Sequence, residues 1–239
     1  MQPAARAWTV IRSTWLTRKP SSRAWFAASW SVFLLIVGSV IYWQNILNST
    51  TWMSASQASV FSQHQFWRLW STLFAHADLG HLAANSLLFF VFGYFLTGYF
   101  GLFVFPFLAF LFGGITNALT VLTYSPEVTL IGVSGVVYWM GGMWLVLYLL
   151  LDEQRTWLQR SLRAAGVALG VFMPSTAFEP QVSYRAHFIG FVLGVVTGFI
   201  YYQIRKKEFK SAVTYEILRD DDLQPELPQE SSGSEVERL

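Results

Sequence analysis

Long apolar runs broken by short polar stretches set the pattern of this chain. Residues 24–43 carry no charge. Residues 82–98 are dense in Phe and Leu, and 101–123 continue apolar apart from Pro106 and Asn117. Further runs occupy 134–151 and 184–203, the last polar only near its ends and around His187. Residues 158–178 are less clean, because Arg160 and Arg163 fall in their first turns and only 164–173 is wholly apolar. A helix needs roughly 20 apolar residues to cross a hydrocarbon core about 30 Å thick. Long Arg stems can snorkel to the interface, so 158–178 still counts as a span. The pattern predicts an all-α membrane protein with six transmembrane helices.

Composition agrees. Apolar residues make up 54% of the chain and charged residues 13%, about half the charge of a soluble domain. Cysteine is absent, which excludes disulfides, a thiolate nucleophile and thiolate metal ligation. Charge placement then orients the spans. Arg6, Arg12, Arg18, Lys19 and Arg23 precede the first, and Arg155, Arg160 and Arg163 follow the fourth. Arg205, Lys206, Lys207, Lys210, Arg219 and Arg238 follow the last. With six crossings all of these share one side, and only Arg68 and Arg185 fall on the other. The positive-inside rule places both termini in the cytoplasm.

The basic start and the long first run read as a span rather than a signal peptide. Residues 1–23 form a basic segment with Trp8, Ile11, Trp15 and Leu16 at helical spacing. That spacing fits either an amphipathic helix on the inner leaflet or a loose basic tail. Residues 205–239 begin basic and turn acidic and rich in Pro, Ser, Gln and Glu, which predicts disorder from about 211 onward.

Polar groups at membrane depth are costly and mark cavities or partners. Three clusters stand out. In "WRLWSTLFAHADLGHLAANSLLFF", residues 67–90, His81 and Asn85 share one helix face, while His76 and Asp78 lie just ahead of the helix. In "YSPEVTLIGVSGVVY", residues 124–138, a loop leads below the surface to a helix starting at Ser134, with Tyr138 on the same face. In "AHFIGFVLGVVTG", residues 186–198, His187, Gly190, Gly194 and Gly198 form one stripe. A glycine stripe permits close helix approach. The fourth and sixth spans run in the same direction, so packing them together brings His187 level with Ser134. Imidazole can take a serine proton and return it. No carboxylate lies inside a span, since Asp78, Glu127 and Glu179 are all in outer loops. The arrangement predicts a Ser–His pair, with Tyr138 stacked on the imidazole.

These residues resemble the rhomboid intramembrane serine proteases. The likeness covers residues 67–198: "WR" at 67–68, His76, His81 and Asn85 in a His-x4-His-x3-Asn pattern, "GVSGVVY" at 132–138, and "AHFIGFVLG" at 186–194. It implies a six-transmembrane-helix rhomboid-like bundle with a protease domain at 24–204. Ser134 would be the nucleophile and His187 the general base. Asn85, His81 and the Ser134 amide would bind the oxyanion. His76, Arg68, Gly132, Tyr138, Gly190 and Gly194 would support them, Arg68 bracing the first outer loop and Gly132 shaping the loop beside the oxyanion. The implied substrates are single-span membrane proteins, cut near the outer boundary of the bilayer without a cofactor. The implied setting is a multi-pass protein of a bacterial inner membrane, with no nucleic-acid partner. Only 23 residues precede the first span in this sequence, where some bacterial members carry a long cytoplasmic domain.

Two rivals differ in kind. A non-catalytic relative would bind and route membrane clients, although such relatives typically lack the Ser or the His. A metal enzyme would gather His76, His81 and His187 as ligands, but no His-Glu-x2-His helix is present. Neither the substrate nor the oligomeric state is written in the sequence. A subfamily that processes C-terminal sorting tails shares the same catalytic pattern. The fifth span and its following loop, 174–183, are candidates for a gate.

Overall fold

The computed structural model describes residues 7–172 and 182–219. Among these, five helices are long and apolar enough to cross a membrane: α1 (Arg23–Trp43), α2 (Leu79–Phe100), α3 (Phe103–Val121), α4 (Ser134–Leu151) and, after a shorter α5 (Trp157–Phe172), α6 (Tyr184–Ser211). All five contain long apolar stretches, and a helix is the one open-chain form that satisfies its own backbone polar groups in lipid.

Burial identifies lipid as the solvent. On α1 the small residues Ala24, Ala27, Ala28, Gly38 and Ser39 face inward. Trp25, Phe26, Trp30 and Phe33 point out, Phe26 being 72% exposed. An outward aromatic face of that extent belongs against acyl chains. The centre of the bundle is α4, which packs on α2, α3, α5 and α6 and buries Trp139, Met140, Met143 and Leu147 completely or nearly so. Helix α1 packs against α2.

Six spans were expected, and the fifth is not among these five helices. Helix α5 covers 16 residues, about 24 Å at 1.5 Å per residue. Residues 173–181, which include most of the expected gate loop, lie outside the described residues. Arg160 does not simply snorkel. Its guanidinium donates to the Leu149 carbonyl in the last turn of α4 at 2.8 Å and to Arg155 O in the loop that follows at 3.1 Å.

Both chain ends correct the sequence reading. Residues 7–13 are neither an amphipathic helix nor a loose tail, and residues 214–219 are not disordered. They form strands β1 (Ala7–Ser13) and β2 (Thr214–Arg219), paired antiparallel from Ala7↔Arg219 to Ser13↔Thr214. Arg12 and Glu216 form an ion pair at 2.6 Å, and Ser13 and Thr214 join hydroxyls at 2.7 Å. Thr9, Val10 and Ile11 suit a pleated strand. Trp15 leaves that strand for a short 3-10 turn, where its indole N–H donates to Tyr99 O at 2.9 Å and its ring meets Phe209 edge-on at 4.9 Å. Helix α6 likewise runs past the expected boundary at 204 to Ser211, burying Phe209 beneath this clasp. Residues 220–239 lie outside the described residues.

Candidate active site

Ser134 is the first residue of α4, and the loop before it is held from two sides. Leu130 and Ala55 exchange backbone hydrogen bonds at 2.7 and 3.1 Å, and Gly132 N–H donates to Thr72 O at 3.0 Å. The Thr72 hydroxyl also donates to Leu130 O, at 2.5 Å. Gly132 has φ +105°, a conformation that favours glycine. A Cβ there would also crowd the His81 ring, standing 3.0 Å from its Cε1 and 3.4 Å from its Nε2. The residue ahead of the helix is Val133, which has no side-chain cap to offer. The first amides of α4 therefore remain available to a ligand.

His187 arrives from α6. Ser183 caps that helix by accepting the Ala186 N–H at 3.1 Å, and its hydroxyl meets Tyr124 O–H at 2.8 Å. Arg185 lies 5.0 Å from the Tyr124 ring and donates to Thr123 O, which ties the start of α6 to the end of α3. The glycine stripe closes the rest of the interface. A Cβ at Gly190 would overlap the Gly135 carbonyl oxygen, one at Gly194 the Trp139 oxygen, and one at Gly142 the Phe191 oxygen. These contacts rise together along α4 and α6, so the helices are parallel and their starts are level. Gly135 lies against Ala186, and the Tyr138 ring stacks on His187 at 4.0 Å and 10°. Tyr138 stands one turn from Ser134. Ser134 and His187 thus occupy adjoining first turns on packed faces. His187 is 6% exposed and its Nδ1 has no hydrogen-bond partner among the described residues. No hydrogen bond joins it to the half-buried Ser134 in this resting geometry. Such bonds often tighten only when substrate binds.

The third wall is the start of α2. Asp78 caps it by accepting the His81 N–H at 2.8 Å. His81 faces Gly132, and Asn85 follows one turn deeper. Asn85 is 7% exposed, and its Nδ2 donors have no partner among the described residues. An unpaired buried amide is costly, which makes it a strong candidate for binding an oxygen that arrives with a ligand.

The structure therefore brings together Ser134, His187, Tyr138, His81 and Gly132, with Asn85 on the His81 face of α2. Gly190 and Gly194 set the spacing of α4 and α6. His76 and Arg68 stand behind. His76 is fully buried and its Nδ1 lies 2.9 Å from the Ser39 hydroxyl, with its ring 5.3 Å from that of His81. Burial pushes its imidazole down to about 3, so it stays neutral. Arg68 donates to Ser54 O at 2.8 Å and to the Gln65 side chain, bracing the outer loop. Among the described residues no three His, Asp or Glu side chains converge as metal ligands. Sequence reasoning missed Ser39, Ser183 and Tyr124. A hydroxyl next to or inside an apolar run carries no local sign of its partner.

Comparison with protein families matches residues 63–204 to a model described as the Rhomboid domain. Comparison with curated proteins gives no match.

Proposed function

The chain belongs to the rhomboid family, and from that premise we propose that it is an intramembrane serine protease acting on single-span membrane proteins through Ser134 and His187. The observation that carries this reading is the adjoining first turns of α4 and α6, locked by the Gly190–Gly135 contact and the Tyr138–His187 stack. His187 accepts the Ser134 proton as Oγ attacks the peptide carbonyl. The oxyanion that forms takes hydrogen bonds from Asn85 Nδ2, His81 and the Ser134 N–H. His187 then protonates the leaving amine, and water admitted to the site hydrolyses the acyl-enzyme by the reverse sequence of proton transfers. No described carboxylate approaches His187, so the stacked Tyr138 ring orients it instead. The reaction requires no cofactor.

Topology supports the placement of the site. The β1–β2 pairing puts both ends of the bundle on one side, which requires an even number of crossings. Gln154, just past α4, donates to Arg12 O at 3.0 Å on the clasp side, whereas Ser183 lies at the Ser134 end. On this reading α5 belongs to the sixth crossing. With the basic residues inside, the clasp is cytoplasmic and Ser134 opens toward the outer leaflet, in a bacterial inner membrane.

The test is cleavage of a single-span substrate in proteoliposomes, together with labelling by a fluorophosphonate probe. Wild type should do both. Ser134→Ala should do neither, and His187→Ala should lose cleavage while remaining folded. Normal cleavage by Ser134→Ala would end the reading. The unbonded Ser134–His187 geometry favours one second reading, a family member that binds membrane clients without cutting them. That reading requires wild type to bind substrate yet fail to label.

A further inference from the structure

We propose that Ser39 on α1 is a positioning residue, fixing the tautomer of His76 and through it the His81 ring beside Ser134. This rests on the protease reading for its consequence, though not for its geometry. A neutral imidazole has one donor nitrogen and one acceptor nitrogen. His76 has no exposed surface, so its tautomer is set by protein neighbours. The Ser39 oxygen lies 2.8 Å from Leu35 O, 3.2 Å from Phe74 O and 2.9 Å from His76 Nδ1. A hydroxyl has one proton. The Leu35 carbonyl, one turn back on the same helix and at the shortest distance, takes it. The Ser39 oxygen then offers only lone pairs to His76, and the Phe74 carbonyl is a second acceptor beside the same ring, so Nδ1 carries the hydrogen. Nε2 keeps its lone pair, and that buried atom has no partner among the described residues.

The surroundings make this a device rather than an accident of packing. Trp43, one turn past Ser39, donates its indole N–H to His76 O at 2.7 Å. Gly38 lets the Phe74 backbone close on α1, since a Cβ there would meet Phe74 Cβ at 2.5 Å. One face of α1 thus holds both the backbone and the ring of His76. That ring meets His81 edge to face, at 72° and 5.3 Å. The Cε1–Nε2 edge of His81 faces Gly132, two residues before the nucleophile. A helix with no residue in the site thereby aims one of its donors. Asp78 fixes the His81 backbone and Ser39, through His76, its ring.

Nitrogen-15 NMR of selectively labelled histidine reads the tautomer directly, with only 4 histidines to assign. Using Ser134→Ala protein in detergent, His76 should show the Nδ1–H pattern. Ser39→Ala should shift it toward Nε2–H or a mixture, and Ser39→Thr should keep it. In active protein, Ser39→Ala should lower kcat on the order of tenfold with KM unchanged, with rescue by Ser39→Thr. That loss should vanish in a His81→Ala background. An Nε2–H tautomer in the otherwise unaltered protein would overturn the proposal. So would a Ser39→Ala loss that persists in full without His81. Because the spectra need no turnover, they decide this point even if Ser134 proves not to be the nucleophile.

Discussion

Gly190→Ala is the most informative single change, because it loads stability and chemistry on the same contact. A Cβ at Gly190 would overlap the carbonyl oxygen of Gly135 and stand 3.1 Å from its carbon. Neither atom can rotate away, being backbone of the first turn of α4. Non-bonded heavy atoms rest at about 3.5 Å, so the two helices must part by about 1 Å at this level. Overpacking of this kind costs about 1–3 kcal/mol. The displaced groups are Ser134, next to Gly135, and His187, one turn before Gly190. A misplacement of about 1 Å in a catalytic pair costs about 10²-fold in rate. Gly198→Ala provides the graded comparison. It lies eight residues further along α6, about 12 Å by helical rise. Its nearest obstacle is a methyl of Val146, a side chain that can turn, followed by Met143 O at 3.1 Å. Reconstituted cleavage should show kcat about 10²-fold lower for Gly190→Ala and within a few-fold of wild type for Gly198→Ala. Denaturant titration in mixed micelles should show both destabilised, Gly190→Ala the more. The reasoning fails if Gly190→Ala cleaves normally at unchanged stability, or if Gly198→Ala harms kcat more.

Asn85→Ala should lower kcat by about 10²–10³ at constant KM, the usual loss for one oxyanion donor; a change confined to KM would make Asn85 a substrate-binding group. Cleavage and fluorophosphonate labelling should survive dialysis against a strong chelator, and loss restored by added metal would revive the metal-enzyme alternative. The chain has no native cysteine, so Thr9→Cys with Ile217→Cys, which face each other across the clasp, should form a disulfide readable by peptide mass. Directly opposed strand residues have the separation a disulfide needs, about 4.5–5.5 Å between Cα atoms, and Thr9→Cys with Thr214→Cys should stay reduced. Gly170→Ala on α5, where a Cβ meets nothing within 4 Å, should leave activity intact and raise stability by up to about 1 kcal/mol through helix propensity; a loss of either would refute an open face at that turn of α5.

What the sequence revealed and what it hid divide along physical lines. Five of the six expected span positions were legible because lipid leaves the backbone no alternative to a helix. Each run of roughly 20 apolar residues therefore reports on itself. The glycine spacing of Gly190, Gly194 and Gly198 was legible for a related reason: the stripe can be read on one helix alone, and parallel direction then sets which turn meets which. The clasp was hidden because a strand pair is a relation between two segments about 200 positions apart, and neither Ala7–Ser13 nor Thr214–Arg219 has a strand pattern strong enough to identify itself. The spacing of Trp8, Ile11 and Trp15 even pointed the wrong way, since Trp15 is set by its contacts with Tyr99 and Phe209 and not by a shared helical face. Ser39 was hidden likewise. A serine in an apolar helix reads as a small packing residue, and only the fold brings His76 to it. Yet the clasp supports by geometry what the charges had implied by count. Paired ends on one side demand an even number of crossings, and lysines and arginines gathered at those same ends are what the positive-inside rule requires. The two arguments share no residues beyond Arg12 and Arg219, so each bears separately on the proposed topology, in which the site opens away from the basic side.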